Sequence, residues 1–152
     1  MTVEFEHVTL IDAPIEIVFD VSLDIDAHLA SMSDSNERAI DGVTTGHIGL
    51  GESVTWRARH FGIPFTMTSR VIELDRPRRF VDEQMRGPFR SFQHEHLFVA
   101  ADGGTTMTDH IRFDAPISFV GWIVERLVLA RYLRHLIAQR SEFLRDTAEG
   151  LR

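Results

Sequence analysis

Apolar and polar residues alternate along most of the middle of the chain, from residue 39 to residue 114. The alternating segments are rich in valine, isoleucine, threonine and phenylalanine, which fit the half-buried surface of a sheet. Short turns with glycine or proline separate the segments, at 49–51, 62–64, 75–77, 87–88 and 102–104. This pattern predicts six strands in an antiparallel meander, and the looser alternation at 3–11 predicts one strand before it.

Apolar residues with helical spacing occur on both sides of the meander. Asp12 suits the N-cap region and Pro14 the first turn of a short helix, and residues 24–32 predict a second short helix. Residues 118–145 predict one long helix of about 42 Å, at ~1.5 Å per residue. One face of it repeats at steps of three and four and carries Phe119, Trp122, Arg126, Leu129, Leu133, Leu136, Ile137, Arg140 and Leu144.

The order of these elements predicts the fold class. One strand, two short helices, six strands and one long helix are typical of an α+β arrangement in which helices and sheet are segregated. We therefore expect a curved antiparallel sheet of about seven strands wrapped on the long C-terminal helix. The length of 152 residues fits a single domain that covers 1–152.

The turns also predict which residues meet across neighbouring strands. A turn at 102–104 pairs Phe98 with Met107, His96 with Asp109, His94 with Ile111 and Phe92 with Phe113. The earlier turns place Phe80 beside His96, Asp82 beside His94, Gln84 beside Phe92, Leu74 beside Phe80, Ile72 beside Asp82 and Trp56 beside Arg70. All these pairs give one inward face, in which Asp82, His94, His96 and Asp109 lie among apolar side chains. Direct cross-strand neighbours lie ~4.5–5.5 Å apart at Cβ, so we expect His96 to interact with Asp109.

Composition excludes several kinds of chemistry. The chain has no cysteine, which excludes disulfides, thiolate nucleophiles and cysteine metal sites. All 16 basic residues are arginine, so a lysine Schiff base is excluded as well. The net charge of −7 argues against a nucleic-acid partner, which needs a basic surface. Neither a secretory signal nor an apolar run of about 20 residues occurs, so we expect no transmembrane segment and a cytoplasmic location.

His94 and His96 are the main candidates for chemistry, because they share one face of a strand. With Asp109 or Asp82 they resemble a two-histidine, one-carboxylate metal site. A metal site usually brings together more convergent ligands, and we therefore predict no metal here. Two further interpretations stay open for the histidines and their neighbouring carboxylates. They could transfer protons to and from a ligand, or they could position a ligand hydroxyl or carbonyl.

A larger set of residues is expected on the concave face between the sheet and the long helix. It consists of Trp56, Ile72, Phe80, Phe92, His94, His96, Phe98, Met107, Asp109, Ile111, Phe113, Phe119, Trp122, Arg126 and Leu133. Arg126 could reach a ligand carboxylate or pair with Asp82 or Asp109, whereas Arg140, nearer the end of the helix, is expected to be solvated. Residues 46–51 are rich in glycine but join two strands, so they predict no dinucleotide loop and no cofactor.

Several segments together resemble a known superfamily. They are IDAPIEIVF at 11–19, GLGESVTW at 49–56, DRPRRF at 75–80, FQHEHLF at 92–98, GTTMTD at 104–109 and QRSEF at 139–143. In their order they are similar to the START/birch-allergen (SRPBCC) superfamily, and within it to bacterial polyketide cyclase/dehydrase-type ligand-binding proteins. The resemblance implies a helix-grip fold with a cavity for lipids, sterols, hormones, quinones or polyketides. It implies no catalytic residue, because the family shares no catalytic motif.

Three functions follow from this interpretation. The first, which we favour, is binding or transport of a hydrophobic small molecule in the cavity. The second is a cofactor-independent lyase or isomerase of cyclase/dehydratase type that uses His94, His96 and Asp109, with Asp82 as a further candidate. The third is a protein-interaction module, because the first half of the long helix is apolar on all sides. The same apolarity at 117–130 favours a homodimer.

Overall fold

Seven strands form one antiparallel sheet in the computed structural model of the chain, in the spatial order β1-β7-β6-β5-β4-β3-β2. The structure describes residues 2–115 and 122–152, and for 122–126 it describes the backbone alone. The strands are β1 Val3–Ile11, β2 Arg38–Gly42, β3 Ser53–His60, β4 Ile63–Asp75, β5 Arg79–Arg86, β6 Ser91–Ala101 and β7 Gly104–Asp114. Both the α+β class and the seven-stranded helix-grip arrangement predicted from the sequence are confirmed.

Two short helices follow the first strand, as expected. Helix α1 spans Ile15–Ser22 and helix α2 spans Ile25–Ser31, and a 3-10 turn at Ser33–Ser35 leads into β2. Asp24 caps α2, because its side chain accepts hydrogen bonds from the backbone N–H groups of Asp26 and Ala27. The cap of α1 is Pro14, without a side-chain hydrogen bond. Asp12 instead pairs with Arg152 at the other end of the chain.

The long helix α3 spans Trp122–Leu151 and therefore ends six residues beyond its predicted end. Leu144 and Ala148 explain the extension, because both are buried in the main core cluster beside α1 and β1. Residues 118–121 of the predicted helix lie outside the described residues. Neither residues 117–121 nor the side chains of 122–126 are described, and they make up most of the apolar segment 117–130 from which we predict a homodimer; the homodimer stays a prediction. Among the helices that the structure describes, none has the length and apolarity needed to cross a lipid bilayer.

The register predicted for the last two hairpins is confirmed. Across β6 and β7, Phe98 lies opposite Met107, His96 opposite Asp109, His94 opposite Ile111 and Phe92 opposite Phe113. Across β5 and β6, Phe80 lies opposite His96 and Asp82 opposite His94, but the pairing ends at Glu83 and Gln93, before the predicted pair of Gln84 and Phe92. The histidines and carboxylates are thereby brought to one face of the sheet.

Two predicted pairings in β4 are wrong. Val71, not Ile72, lies opposite Asp82, because the register shifts between Val71 and Glu73 and leaves Ile72 as an extra residue. Trp56 lies opposite Met67 rather than Arg70.

The second error comes from the turn between β3 and β4. His60 pairs with Ile63, so the turn has only two residues, Phe61 and Gly62. Both have positive φ, 55° and 73°, as a tight two-residue hairpin turn requires.

Two clusters of buried side chains hold the sheet, the helices and the turns together. Phe19 of α1 meets Phe98 edge-on at 5.2 Å and Phe80 at 5.7 Å, which anchors α1 on the concave face of the sheet. The second cluster contains Phe5, Phe92, Ile111, Phe113 and Ile137, and joins the sheet to α3. The space between these clusters is where the candidate site lies.

Phe98→Ala should remove a central part of the first cluster. We expect the free energy of unfolding to fall by about 3–5 kcal/mol, the usual cost of deleting a buried phenylalanine side chain. Urea denaturation measures this quantity. The neighbouring Val99 is 61% exposed, so Val99→Ala should change it by less than about 0.5 kcal/mol. Equal effects of the two substitutions would contradict this assignment of the core.

Candidate functional site: a histidine–aspartate cluster in an apolar cavity

A cavity of about 310 Å³ lies between the concave face of the sheet and α3. Its volume is at the lower end of the range for small-molecule sites, ≈ 300–1,000 Å³. Most of the side chains that line it are apolar, among them Val54, Trp56, Met67, Phe92, Leu133 and Leu136. Helix α2 and the segment after it also contribute, through Ile25, His28, Met32 and Glu37.

Six of the side chains that we expect in a cavity wall line this cavity: Trp56, Phe80, Phe92, His94, His96 and Leu133. Asp82, considered as a catalytic candidate, lines it too. Phe119 lies outside the described residues, and so do the side chains of Trp122 and Arg126. Ile72 does not line the cavity; the residue shift in β4 brings Val71 there instead.

Four other predicted wall residues lie in the core. Helix α1 covers Phe98 and Met107, with the Phe19 ring on Phe98 and the Ser22 hydroxyl 3.8 Å from the Met107 sulfur. Ile111 and Phe113 are covered by the side chains of the second cluster. Asp109 is fully buried and lies behind the wall. Their strand face is therefore predicted correctly, but the helices already occupy that part of it.

The carboxylate of Asp109 is the centre of the polar contacts. His94 donates from Nε2 to Oδ1 at 2.7 Å, and Arg140 donates from Nη1 to the same oxygen at 3.3 Å. The hydroxyl of Ser141 donates to Oδ2 at 3.2 Å. These contacts join β6, β7 and α3. The expectation that Arg140 is solvated is wrong: it is 4% exposed, because the buried carboxylate holds it.

His96 makes its hydrogen bond to a different carboxylate from the one expected. Its Nε2 lies 2.7 Å from Oδ2 of Asp82. Its Nδ1 lies 3.4 Å from Oδ1 of Asp109, without the alignment of a hydrogen bond. Both histidines thus bond diagonally across the sheet, which long side chains can do, rather than to the residue directly opposite.

Ring stacking fixes the positions of the two imidazoles. The rings of Phe80 and His96 stack with centroids 3.9 Å apart, and those of His96 and His94 with centroids 3.7 Å apart. The three rings form one stack along the cavity wall. Because neighbours hold each ring on both its face and its edge, the polar groups are preorganised before any ligand binds.

The electrostatics of the cluster follow from burial and from these contacts. Burial, together with the nearby His96, lowers the pKa of His94 from 6.5 to about 4, and its bond to Asp109 offsets only part of this. For Asp109, burial alone would raise the pKa, but the hydrogen bond from His94, the nearby His96 and the charge of Arg140 outweigh it and hold the pKa well below 3.8. At neutral pH, His94 is therefore neutral and Asp109 is ionised.

Asp82, His94 and His96 are the residues that could hold a metal, since one ligand atom of each lies within 4.8 Å of the others. Their contacts favour hydrogen bonding instead. Nε2 of each histidine is already bonded to a carboxylate at 2.7 Å. The two stacked rings are also nearly parallel, inclined by 21°, whereas metal ligands converge on one point.

Sequence reasoning missed a second polar group at the rim of the cavity. Nδ1 of His60 lies 2.7 Å from the hydroxyl of Tyr132, and Nε2 of His28 lies 2.5 Å from Oε1 of Glu37. His60 and Tyr132 are 72 positions apart, and no motif connects them. Nothing in the sequence indicated these rim residues. Arg140, which was expected to be solvated, did carry a signal of burial, namely its position within the apolar stripe of α3.

The lowered pKa of His94 predicts how stability depends on pH. Below pH 6.5 the unfolded chain takes up a proton that folded His94 does not bind, so stability falls as the pH decreases toward 4. Between pH 7 and pH 4.5 we expect a loss of about 2–3 kcal/mol from this residue. Half-buried His60, whose pKa is also lowered by desolvation, adds a loss of the same sign. Urea denaturation at the two pH values measures the sum.

Two histidine variants test whether His94 causes this pH dependence of stability. His94→Asn should lose most of this pH dependence, whereas His135→Asn, at an exposed position of α3, should keep it. An unchanged pH dependence in His94→Asn would show that the imidazole is protonated in the folded protein.

Comparison with known proteins places the chain among families and folds. The family described as "Polyketide cyclase / dehydrase and lipid transport" matches residues 2–149. No curated protein matches the chain by sequence. The Zhui aromatase/cyclase from Streptomyces sp. R1128 has a similar structure, with a TM-score of 0.80 and 17% identity over 98% of this chain and 94% of that one.

Two further solved structures show the same likeness. TTHA0849 from Thermus thermophilus has a TM-score of 0.74 and 17% identity over 93% of this chain and 97% of that one. Major latex-like protein 151 from Panax ginseng has a TM-score of 0.68 and 10% identity over 97% of both chains. At such identities these structures show a shared fold, not a shared function. Because the family matches nearly the whole length, the chain belongs to the polyketide cyclase / dehydrase and lipid transport family of the SRPBCC superfamily.

Proposed function

We propose that the chain binds an apolar small molecule in the cavity between the sheet and α3. The observation that carries this proposal is the wall itself: apolar side chains surround a space of about 310 Å³, and the cavity-facing atoms of the His94–Asp109 and His96–Asp82 pairs give it one polar end. An apolar wall with a few fixed polar groups is typical of small-molecule sites. Membership of a family that includes lipid transport supports the same function.

Burial of the ligand supplies most of the affinity in this proposal. Each Å² of apolar surface removed from water contributes roughly 25 cal/mol, and the wall offers such surface from both sheet and helix. The polar end contributes orientation, since its groups are already held in place by stacking and hydrogen bonds. Little ordering is then required when the ligand enters, which favours binding.

Native mass spectrometry of freshly purified protein is the first test of binding. We expect an organic molecule to be retained with the folded chain and released on denaturation. As a defined probe, para-phenylphenol should bind in isothermal titration calorimetry, because its two rings match an apolar cavity and its hydroxyl matches the polar end. If neither a retained molecule nor probe binding is found, the proposal is wrong.

Ala58→Phe tests whether binding takes place in this cavity. Ala58 lines the wall and is 6% exposed, so a phenylalanine side chain there would occupy the space of the ligand. We expect the affinity for para-phenylphenol to fall at least about tenfold, or ~1.4 kcal/mol. Ala100→Phe, the same change at an exposed position near the end of β6, should leave the affinity unchanged. Equal affinities of the two variants would place the probe elsewhere.

Catalysis of the cyclase/dehydratase type is the second candidate function. The observation in its favour is that two carboxylate–imidazole pairs lie at the cavity, an arrangement that can move protons. The pKa of His94, however, favours binding over catalysis. A general base works best when its pKa lies near the operating pH, and the pKa of His94 is about 4.

Proton exchange tests this second function without knowledge of the substrate. In deuterium oxide, an enzyme of this type should accelerate exchange of the protons next to the carbonyl of bound β-tetralone, which NMR detects. His94→Gln should then remove the acceleration while the affinity for the ketone changes less than about threefold. If the wild type gives no acceleration although β-tetralone binds, proton abstraction in this cavity is refuted and binding alone remains.

A further inference from the structure

The cavity has polar side chains at two ends. The inner end contains the His94–Asp109 and His96–Asp82 pairs, and the outer end, at the rim, contains His60 and Tyr132. At the rim, His60 and Tyr132 form a hydrogen bond of 2.7 Å, and the Tyr132 ring lies beside Phe61, which is 66% exposed. His60 and Tyr132 line the same cavity as His94 and Asp82. A ligand that fills the cavity therefore meets polar atoms at both ends.

Helix α3 sets the separation of the two ends. Tyr132 belongs to the outer end, and Arg140, which bonds to Asp109, belongs to the inner end. The two residues are eight positions apart, or about 12 Å at ~1.5 Å per residue. Between them, Leu133, Leu136 and Ile137 line the cavity, so the wall that α3 contributes between the ends is apolar.

The inner end offers hydrogen-bond acceptors. Neutral His94 uses its N–H to bond ionised Asp109, which leaves a lone pair on Nδ1. That nitrogen has no hydrogen-bond partner among the described residues, and the His94 side chain lines the cavity, where it is 9% exposed. Oδ1 of Asp82 likewise has no hydrogen-bond partner among the described residues, since only Oδ2 is bonded to His96, and the Asp82 side chain is 24% exposed. A ligand hydroxyl placed here can donate to either acceptor, and a negatively charged group would meet the carboxylate of Asp82. The guanidinium of Arg140 also lines the cavity, but Asp109 already binds it.

The outer end can either donate a hydrogen bond to a ligand or accept one from it. Burial lowers the pKa of His60 and raises the pKa of the Tyr132 hydroxyl, so both groups are neutral at neutral pH. Either one can then be the donor in the bond between them. When His60 donates, the Tyr132 hydroxyl is left to donate to a ligand; when Tyr132 donates, its oxygen can accept. A ligand hydroxyl fits both cases.

On the basis of the function proposed above, we propose that the cavity selects an uncharged, rigid, apolar molecule with a hydroxyl group at each end. The inner hydroxyl donates to Nδ1 of His94 or to Asp82, and the outer hydroxyl bonds to the His60–Tyr132 pair. A molecule with a carboxylate at the inner end is selected against.

A series of biphenyls tests this selection by isothermal titration calorimetry at neutral pH. The probes are biphenyl with a para hydroxyl on both rings, para-phenylphenol with one, biphenyl with none, and para-phenylbenzoate with a carboxylate. A net hydrogen bond contributes about 0.5–1.5 kcal/mol, so we expect each added hydroxyl to raise the affinity about threefold to tenfold. We expect para-phenylbenzoate to bind at least tenfold more weakly than para-phenylphenol.

Two variants assign these differences to the two ends. Tyr132→Phe keeps the ring but removes the outer hydroxyl, so it should reduce the affinity advantage of the second ligand hydroxyl to less than twofold. Asp82→Asn removes the inner negative charge and should narrow the difference between para-phenylbenzoate and para-phenylphenol. Thermal melting of each variant shows that it is folded, and Ala100→Phe serves as the unaffected control.

The outcomes separate this inference from the proposed function. Equal affinities of all four probes, each lost in Ala58→Phe, would overturn the selection for two hydroxyls but keep the cavity as a binding site. Tight binding of para-phenylbenzoate would overturn the part of the inference that concerns charge. If no probe binds, the proposed function fails and the inference fails with it.

Discussion

The burial of one ionised carboxylate, that of Asp109, is the constraint on which the rest of the structure depends. A charge without contact to water is costly unless several partners compensate it. Here His94, Arg140 and Ser141 supply those partners from β6 and from two successive positions of α3. Both the register of the hairpin and the rotation of the helix about its axis must be right for all three to reach the carboxylate. The same interaction therefore fixes the structure and sets the polarity of the cavity.

The cavity follows from the way the two buried clusters divide the concave face. Helix α1 covers one part of the sheet through Phe19, and α3 covers another through Ile137. Neither helix fills the space between, where the wall is formed by residues such as Trp56 and Met67. The parts of the sheet that the helices cover therefore hold the fold, and the uncovered part forms the wall of the cavity.

The backbone was more predictable from the sequence than the contacts of individual side chains. The tight turn at 102–104 determined the whole register of β6 and β7, so His94 and His96 were placed on the correct face. The extra residue at Ile72 has no glycine or proline to indicate it, so the register of β4 was missed. The bond between His60 and Tyr132 joins positions 72 apart, and only the folded chain brings them together. Strand pairing also does not determine which carboxylate each histidine binds, because that depends on the length and rotamer of the side chains.

The stack of His96 on His94 limits how much charge the inner end can hold. Two imidazoles with centroids 3.7 Å apart would repel each other strongly if both were protonated, and this repulsion is one cause of the low pKa of His94. A stack this close therefore disfavours a positive charge on His94, which stays neutral at neutral pH. His94 thus contributes its ring to the inner end as an aromatic surface and a hydrogen-bond acceptor, and not as a cation.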